Sequence, residues 1–138
     1  MFAALPLLAL PIALYNIVAL SLGGFRSNEA AARLTSPLFS IDVVHAVWAI
    51  SMSDLLLAGA LVVLFVELLK STSSREIAII NHSLSMILFI FCLVEFLLFP
   101  AFVTSTYFLL MLMVLLDVLA GFIVTIVASR REIDFHDR

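Results

Sequence analysis

Residues 107–129 read YFLLMLMVLLDVLAGFIVTIVAS, a run in which Asp117 is the only charged side chain. About 20 consecutive apolar residues is the length that an α-helix needs to cross the hydrocarbon core of a bilayer. Residues 41–69 and 74–99 have a similar character, with few charges inside them. The chain therefore contains several segments that suit lipid better than water.

The composition of the whole chain supports this interpretation. Its 138 residues are 64% hydrophobic and 12% charged, with a mean hydropathy of +1.26. Soluble domains are about half apolar and about a quarter charged, so the excess apolar surface must face lipid or other membrane chains. The net charge of −3 offers no basic patch for nucleic acid. A single cysteine, Cys92, excludes an internal disulfide, and no cysteine–histidine spacing typical of a zinc site occurs.

We predict an all-α membrane protein, a single domain over residues 1–138, with four transmembrane helices in an antiparallel bundle. The first segment has no basic start and no cleavage site, so we interpret it as a retained helix. Pro11 is expected to kink it, and Ser40 is a plausible N-cap of the second span. The predicted spans are residues 3–22, 41–69, 74–99 and 107–129, the last capped by Thr104, Ser105 or Thr106.

The link of residues 23–40 is longer than the other links. Within it, residues 29–34 are predicted to form a short helix in the membrane interface, and an ordinary ordered loop fits the sequence equally well. Lysine and arginine favour the cytoplasmic side of a membrane protein. One side carries Lys70, Arg75, Arg130, Arg131 and Arg138, and the other carries Arg26 and Arg33. Both termini, including a tail of residues 130–138, are therefore predicted to be cytoplasmic, with the long link outside.

Three acidic residues are predicted to lie inside the spans without a basic neighbour. Asp54 and Asp117 fall near the centres of the second and fourth spans, and Glu95 falls in the outer part of the third. An ionised carboxylate in hydrocarbon costs about 2.5 kcal/mol or more. Each acid is therefore expected to be protonated and hydrogen-bonded, to line water or bind a cation, or to pair with a basic residue of another chain. Whether Asp54 and Asp117 share a proton or only join helices stays open.

A weakly polar seam runs along the third span. Asn81, Ser85, Cys92 and Glu95 fall on one stripe of a helix with about 100° per residue. A stripe of this kind is predicted to face the rest of the bundle or another chain. Small residues beside the acids, such as Gly121, let neighbouring helices approach closely.

Two histidines are candidate ligands for a pigment or a quinone. His45 lies three residues after Asp42 near the outer end of the second span, and His82 lies near the inner end of the third. Most of the membrane depth separates them, so they cannot hold one haem from both sides, and a lone histidine at the end of a helix is usually an ordinary interfacial residue. The sequence contains no HExxH, GxSxG or P-loop motif. We therefore predict no enzyme activity, no catalytic residue and no metal site.

The stretches FVELLK (65–70), NHSLSMILFIFCLVEFLL (81–98) and DVLAGF (117–122) resemble a group of small uncharacterised four-span inner-membrane proteins of alphaproteobacteria. The resemblance covers roughly residues 52–131 and includes Asp54, Glu67, His82, Glu95 and Asp117. It implies a location in a bacterial inner membrane and carries no known activity. The group usually has an acidic residue before the histidine, where this chain has Asn81, so the charge at that position differs.

These observations favour an accessory or structural subunit of an inner-membrane assembly, or a homo-oligomer that packs through its polar seam. The first alternative is a small proton- or cation-coupled transporter or channel that uses Asp54, Glu95 and Asp117. The second alternative is a subunit that binds a pigment or a quinone near His45 or His82. The expected partners are the lipid bilayer and other membrane chains or copies of this chain, without nucleic acid, and the identity of any cofactor stays open.

Overall fold

The chain is mostly helical, with a small β-hairpin between its second and third helices. The computed structural model describes the backbone of residues 5–70 and 75–136, and their side chains except those of 75–78, 125 and 127–136. In chain order the elements are α1 (Ala9–Ser21), α2 (Glu29–Thr35), β1 (Pro37–Val43), β2 (Ala46–Ser51), α3 (Met52–Lys70), α4 (Arg75–Leu98), a 3-10 turn (Pro100–Phe102) and α5 (Ser105–His136).

Three of the described helices are long and apolar enough to cross a membrane. They are α3, the Ile79–Leu98 part of α4 and the Ser105–Val124 part of α5. Large apolar side chains cover the outer surfaces of these helices, as expected where the surroundings are lipid tails. The predicted helical class is confirmed, and α4 lies close to the predicted residues 74–99. α5 begins close to the predicted residue 107 but continues to His136, through most of the predicted tail of residues 130–138.

The first helix is shorter than the predicted span of residues 3–22, of which residues 3 and 4 lie outside the described part of the chain. Its 13 residues make a helix about 20 Å long, less than the hydrocarbon thickness of about 30 Å. Pro11 lies in the first turn of α1, where a proline removes no helical hydrogen bond. The kink expected at Pro11 therefore has no physical cause.

The largest difference from the predicted spans lies at residues 41–51, which form strands instead of the start of a membrane helix. β1 and β2 pair antiparallel, with Ile41 opposite Trp48 and Val43 opposite Ala46. Ser40, the predicted N-cap of the second span, pairs with Ala49 inside the hairpin. The stretch is rich in β-branched residues and its apolar side chains alternate with smaller or polar ones, a pattern that favours a strand.

The helices are arranged around α5, which packs against both α4 and α3. Ser85 of α4 bonds Asp117 of α5, whereas Glu95, further along α4, bonds Tyr107, nearer the start of α5. The residue numbers rise on one helix as they fall on the other, so α4 and α5 run in opposite directions. Next to Tyr107 is an aromatic cluster of Tyr15, Phe25, Phe99 and Phe102, with ring centroids 4.8–6.3 Å apart.

Candidate functional site

The contact between α4 and α5 buries four polar side chains, Asn81, His82, Ser85 and Asp117, which we call the central cluster. Ser85 Oγ lies 2.5 Å from Asp117 Oδ2 and 3.1 Å from the carbonyl oxygen of Asn81. His82 Nδ1 lies 3.9 Å from Asp117 Oδ1, about 1 Å beyond an ordinary hydrogen bond. The cluster therefore joins the two helices through a hydrogen bond from the Ser85 hydroxyl to the Asp117 carboxyl.

The hydrogen positions in the central cluster have two consistent arrangements. Ser85 carries a single hydroxyl proton, so it donates either to Asp117 Oδ2 or to the carbonyl oxygen of Asn81. The distance of 2.5 Å between Ser85 Oγ and Asp117 Oδ2, against 3.1 Å to the Asn81 carbonyl oxygen, favours donation to Asp117.

Several buried polar atoms of the central cluster have no hydrogen-bond partner among the described residues. They are both amide atoms of Asn81, both ring nitrogens of His82 and Oδ1 of Asp117. A buried polar group left without a partner costs about 1–3 kcal/mol. Three such residues side by side mark a place where a further group can be bound.

An apolar groove of about 270 Å³ opens beside His82. Gly121 borders the groove and packs directly against the His82 ring, because a Cβ at this position would overlap the imidazole. Three residues of its wall, Ile79, Met86 and Phe122, are 46–53% exposed. The groove therefore opens onto the outward face of the α4–α5 pair. Its lining consists of Ile79, His82, Ser83, Met86, Val118, Gly121 and Phe122.

A second polar group, the Glu95 cluster, consists of Asn16, Glu95 and Tyr107. The Tyr107 hydroxyl donates to Glu95 Oε2, and Asn16 Nδ2 donates to the same oxygen at 3.2 Å. Glu95 is 4% exposed, so this acid is held by two donors of its own chain. The nearby Thr104 caps α5 by accepting the Tyr107 N–H at 3.1 Å, which identifies the cap among the three predicted candidates.

Asp54 belongs to neither cluster and lies in the first turn of α3. Its Oδ2 accepts the N–H of Ser51 at 2.8 Å and the Ser51 hydroxyl at 2.6 Å, while its own N–H lies 3.3 Å from Ser51 Oγ. This reciprocal pair is a capping box. The predicted position of Asp54 near the centre of a span is wrong because the helix begins at Met52 and not at Ile41. The sequence signal was the S-x-x-D spacing of residues 51–54, which the assumption of a longer helix obscured.

Glu67 is among the residues of the resemblance, but the sequence did not reveal its contact with α1. This fully buried carboxylate accepts the backbone N–H of Leu7 at 2.5 Å and of Leu8 at 3.2 Å through Oε2. The N–H groups at the start of a helix lack helical partners, and negative charge is favourable there. Glu67 therefore caps α1 from α3, a contact between residues so distant in sequence that no local pattern reveals it.

The predicted seam lies inside the chain. Asn81, Ser85, Cys92 and Glu95 are all at most 4% exposed, so in this structure they are not accessible to a second chain. His45 lies in the hairpin turn between β1 and β2, whereas His82 lies on α4. The structure therefore does not bring the two candidate ligand histidines together.

The described residues contain no group of three or more histidine, cysteine, aspartate or glutamate side chains that could hold a metal ion. Comparisons with protein-family models, with curated proteins and with solved structures find no match for this chain. Its function is therefore inferred from the contacts of its own residues.

Proposed function

We propose that the protein is an accessory subunit of a bacterial inner-membrane assembly and contacts other membrane chains through its apolar outer surface. The observation that favours this role over transport is that the acids inside the bundle have partners in their own chain. Glu95 accepts from Tyr107 and Asn16, and Asp117 is joined to Ser85. Since these acids are buried and bonded, they are not the contacts that a basic residue of a partner would use.

A transport pathway through one copy of the chain has less support. Along α4, Ser85 and Glu95 are separated by about 15 Å at about 1.5 Å per residue. Along the two helices, apolar side chains lie between the two polar clusters: Leu110 and Val114 of the hydrophobic core, and Leu88, which packs against that core. A proton moves between groups that are hydrogen-bonded directly or through water, and these side chains offer no such step.

We also propose the finer membrane topology, in which α1 is a fourth, short membrane segment and both termini are cytoplasmic. One end of α1 meets α3, where Leu7 donates to Glu67. Its middle contacts the turn after α4, where the Tyr15 hydroxyl donates to the Ala101 carbonyl at 3.0 Å, and just beyond its C-terminal end the Phe25 carbonyl accepts the Ala101 N–H at 3.2 Å. The first helix thus follows the length of the bundle, and the excess of lysine and arginine on the side of the termini supports their cytoplasmic position.

The β1–β2 hairpin is proposed to lie on the outer surface of the membrane with one face on lipid. Its register places Ser40 and Asp42 on one face with Val47 and Ala49. The opposite face is apolar, and its residues Phe39, Ile41, Val43 and Trp48 are 44–58% exposed. That face consists of Phe39, Ile41, Val43, Ala46, Trp48 and Ile50.

Lipid is the occupant that suits this apolar face. Two paired strands of this length present a face of roughly 20 Å by 10 Å, well below the roughly 800 Å² per partner that a stable protein interface buries. The free strand edges carry backbone groups that need water, which excludes the hydrocarbon core. The membrane interface supplies both water and apolar contact, and tryptophan is enriched there.

Gentle extraction of the tagged native protein, followed by mass spectrometry, tests the proposed subunit role. We expect other membrane chains to co-purify at a fixed stoichiometry, and to do so equally with the Asp54→Asn variant, because Asp54 caps its own helix. A particle that contains this chain alone, as a monomer or as a homo-oligomer, contradicts the proposal. Loss of the other chains in Asp54→Asn alone would instead make Asp54 an intermolecular contact.

A further inference from the structure

We propose that β2 joins two copies of this chain by pairing edge to edge with β2 of a second copy, so that the two hairpins form one four-stranded sheet. The inference goes beyond the subunit role, and it rests on the proposed position of the hairpin on the membrane surface. Among the described residues, no hydrogen bond joins residues 40–49 to a part of the chain outside the hairpin. The backbone groups on the outer edges of the hairpin must therefore bond to water or to another strand.

The register of the hairpin shows which backbone groups of β2 point outward. Val43 and Ala46 flank the two-residue turn, so they form a hydrogen-bonded pair. In an antiparallel ladder, hydrogen-bonded pairs alternate with pairs that are not hydrogen-bonded. Val47, opposite Asp42, belongs to the second kind, and its N–H and C=O point away from β1. The same holds for Ala49, two residues further on, so β2 presents a donor and an acceptor at each of these two positions.

The outer edges of β1 and β2 differ in how they are protected from pairing. Natural edge strands are protected by proline, by bulges and by charged side chains. β1 has all three, namely Pro37, a shift of register between Pro37 and Phe39, and Asp42. β2, formed by Ala46–Ser51, has no proline and no charged residue, and its register is uninterrupted over residues 46–50. The edge of β2 is therefore the one that is open to another strand.

The symmetry of a membrane dimer favours a second copy as the partner of β2. Two identical strands that pair antiparallel are related by a twofold axis perpendicular to their sheet. Because the hairpin lies with its apolar face on lipid, this axis runs along the membrane normal, and both copies cross the bilayer in the same direction. Pairing at the edge leaves both apolar faces on lipid. Three or more strands with one apolar face are stable where a lone hairpin is marginal.

Exposure along the strand determines the register of the pairing. β2 is exposed from its start to Ala49 and buried after it, so the pairing is centred on Trp48. With Trp48 opposite Trp48 of the second copy, Val47 of each copy lies opposite Ala49 of the other. Each of these two pairs then exchanges both of its N–H to C=O hydrogen bonds. A shifted register places one of them opposite the turn or opposite the buried Ser51, and hydrogen bonds are lost.

Oxidative cross-linking of the full chain in phosphatidylethanolamine–phosphatidylglycerol vesicles tests this register. Trp48→Cys is expected to form a disulfide-linked dimer, because Cα atoms in a pair that is not hydrogen-bonded lie about 4.5 Å apart, within the span of a disulfide. Ile41→Cys is the matched control, since Ile41 lies directly opposite Trp48 on the same face. In the dimer its counterpart is three strand spacings, about 14 Å, away, so it is expected to cross-link several-fold less. The native Cys92 is buried and gives the background. Equal yields from the two variants would overturn the proposal.

Two proline variants test the edge while Trp48 stays in place. Val47→Pro removes an outward N–H of β2 and no hydrogen bond to β1, so the hairpin tolerates it. It is expected to weaken the dimer about tenfold or more, the effect of one lost hydrogen bond in each copy. Asp42→Pro, directly opposite Val47, removes the equivalent N–H from the edge of β1 and is expected to leave the dimer unchanged. Stepwise photobleaching of the dye-labelled chain in the same vesicles counts the copies.

A dimer that survives Val47→Pro, or that is lost equally in both proline variants, contradicts the pairing through β2. A native chain that is monomeric in vesicles overturns the pairing as well. If brominated lipids still quench the Trp48 fluorescence of that monomer, the position of the hairpin on the membrane holds and only the pairing fails. The subunit role is tested separately, because co-purification of other chains does not depend on the number of copies of this one.

Discussion

The α4–α5 contact and the β1–β2 hairpin differ in where each keeps its polar side chains. In the contact, Ser85, Glu95 and Asp117 point inward and are hydrogen-bonded, while the outer surfaces of the helices are apolar. In the hairpin, most of the apolar face is exposed, including Ile41 and Trp48, and Ile50 next to α3 is buried. The helices therefore complete their polar contacts within the chain, whereas the hairpin needs an outside surface for its apolar ones.

The turn of the hairpin increases its need for an outside surface. Val44 and His45 form a two-residue connection, because Val43 pairs directly with Ala46. The favoured two-residue hairpin turns need a positive φ at one or both central residues, and no described residue other than glycine has one. A lone two-stranded hairpin is at best marginally stable in water, so this one depends on the surface against which it lies.

The largest expected difference between the two regions comes from removing one aromatic ring in each. Phe102 is fully buried and packs against Tyr15 and Tyr107, so Phe102→Ala should lower the free energy of unfolding by about 3–5 kcal/mol. Phe39→Ala in the exposed hairpin should change it by no more than about 0.5 kcal/mol. Denaturation in mixed micelles measures the change in unfolding free energy for both variants. Equal losses would contradict the difference between the buried contact and the exposed hairpin.

Removal of one donor from the Glu95 cluster should have the next largest effect. Tyr107→Phe leaves buried Glu95 with Asn16 as its remaining donor and should lower the free energy of unfolding by about 1–3 kcal/mol. The double variant Tyr107→Phe/Glu95→Leu should be more stable than Tyr107→Phe, because no buried carboxyl is then left short of a partner. The two single variants and the double variant are compared in the same micelles. If their losses of unfolding free energy simply add, the Tyr107–Glu95 hydrogen bond is not the cause of the loss in Tyr107→Phe.

Two glycines in the helices allow a matched test of close packing. Gly121→Ala should destabilise the protein by about 1–3 kcal/mol because its Cβ meets the His82 ring. Gly59→Ala, in α3 with open space around it, should stabilise the helix by about 0.5–1 kcal/mol. Unfolding measurements on both variants check that the two changes in the free energy of unfolding have opposite signs. When His82→Ala is added to Gly121→Ala, the loss caused by Gly121→Ala should become smaller.

At the point where the hairpin continues into α3, Asp54→Ala removes half of the capping box that joins β2 to α3. The expected loss is about 1 kcal/mol of unfolding free energy, with Asp54→Asn less affected because its amide oxygen still accepts a hydrogen bond. Thermal denaturation of the detergent-purified variants measures this loss. A loss several times larger would show that Asp54 does more than cap its helix.

The smallest effect on stability is expected from changes on the apolar face of the hairpin, so its position is best measured by fluorescence. Trp48 is the only tryptophan of the chain, and its emission therefore reports on the hairpin alone. In reconstituted vesicles, brominated lipids should quench Trp48 strongly, and the quenching should not depend on the protein-to-lipid ratio. If aqueous acrylamide quenches Trp48 and brominated lipids do not, the lipid contact is contradicted. If lipid quenching falls as the protein-to-lipid ratio rises, a second copy of the chain covers the face.

The sequence predictions succeeded where the signal is local. The length of the apolar runs predicted the positions of α4 and α5. The polar residues 104–106 predicted where α5 begins, and Thr104 is its cap. The short helix predicted over residues 29–34 is α2. The prediction failed at residues 41–51, because a short run of β-branched residues next to an apolar helix has the same hydropathy as a continuation of that helix. Because α3 begins at Met52 and not at Ile41, Asp54 lies in the capping box of the helix and not at the expected centre of a span.

Sequence by itself determined that this chain is a helical protein with segments suited to a membrane, since apolar length and helical period are properties of neighbouring residues. Only the tertiary structure decided the partner of each buried acid: Glu67 with the start of α1, Glu95 with Tyr107, and Asp117 with Ser85. These partners come from different helices, and their contacts depend on how the helices are rotated and packed. A pattern that repeats along one helix shows which face is polar but not which side chain of a distant segment will lie opposite it.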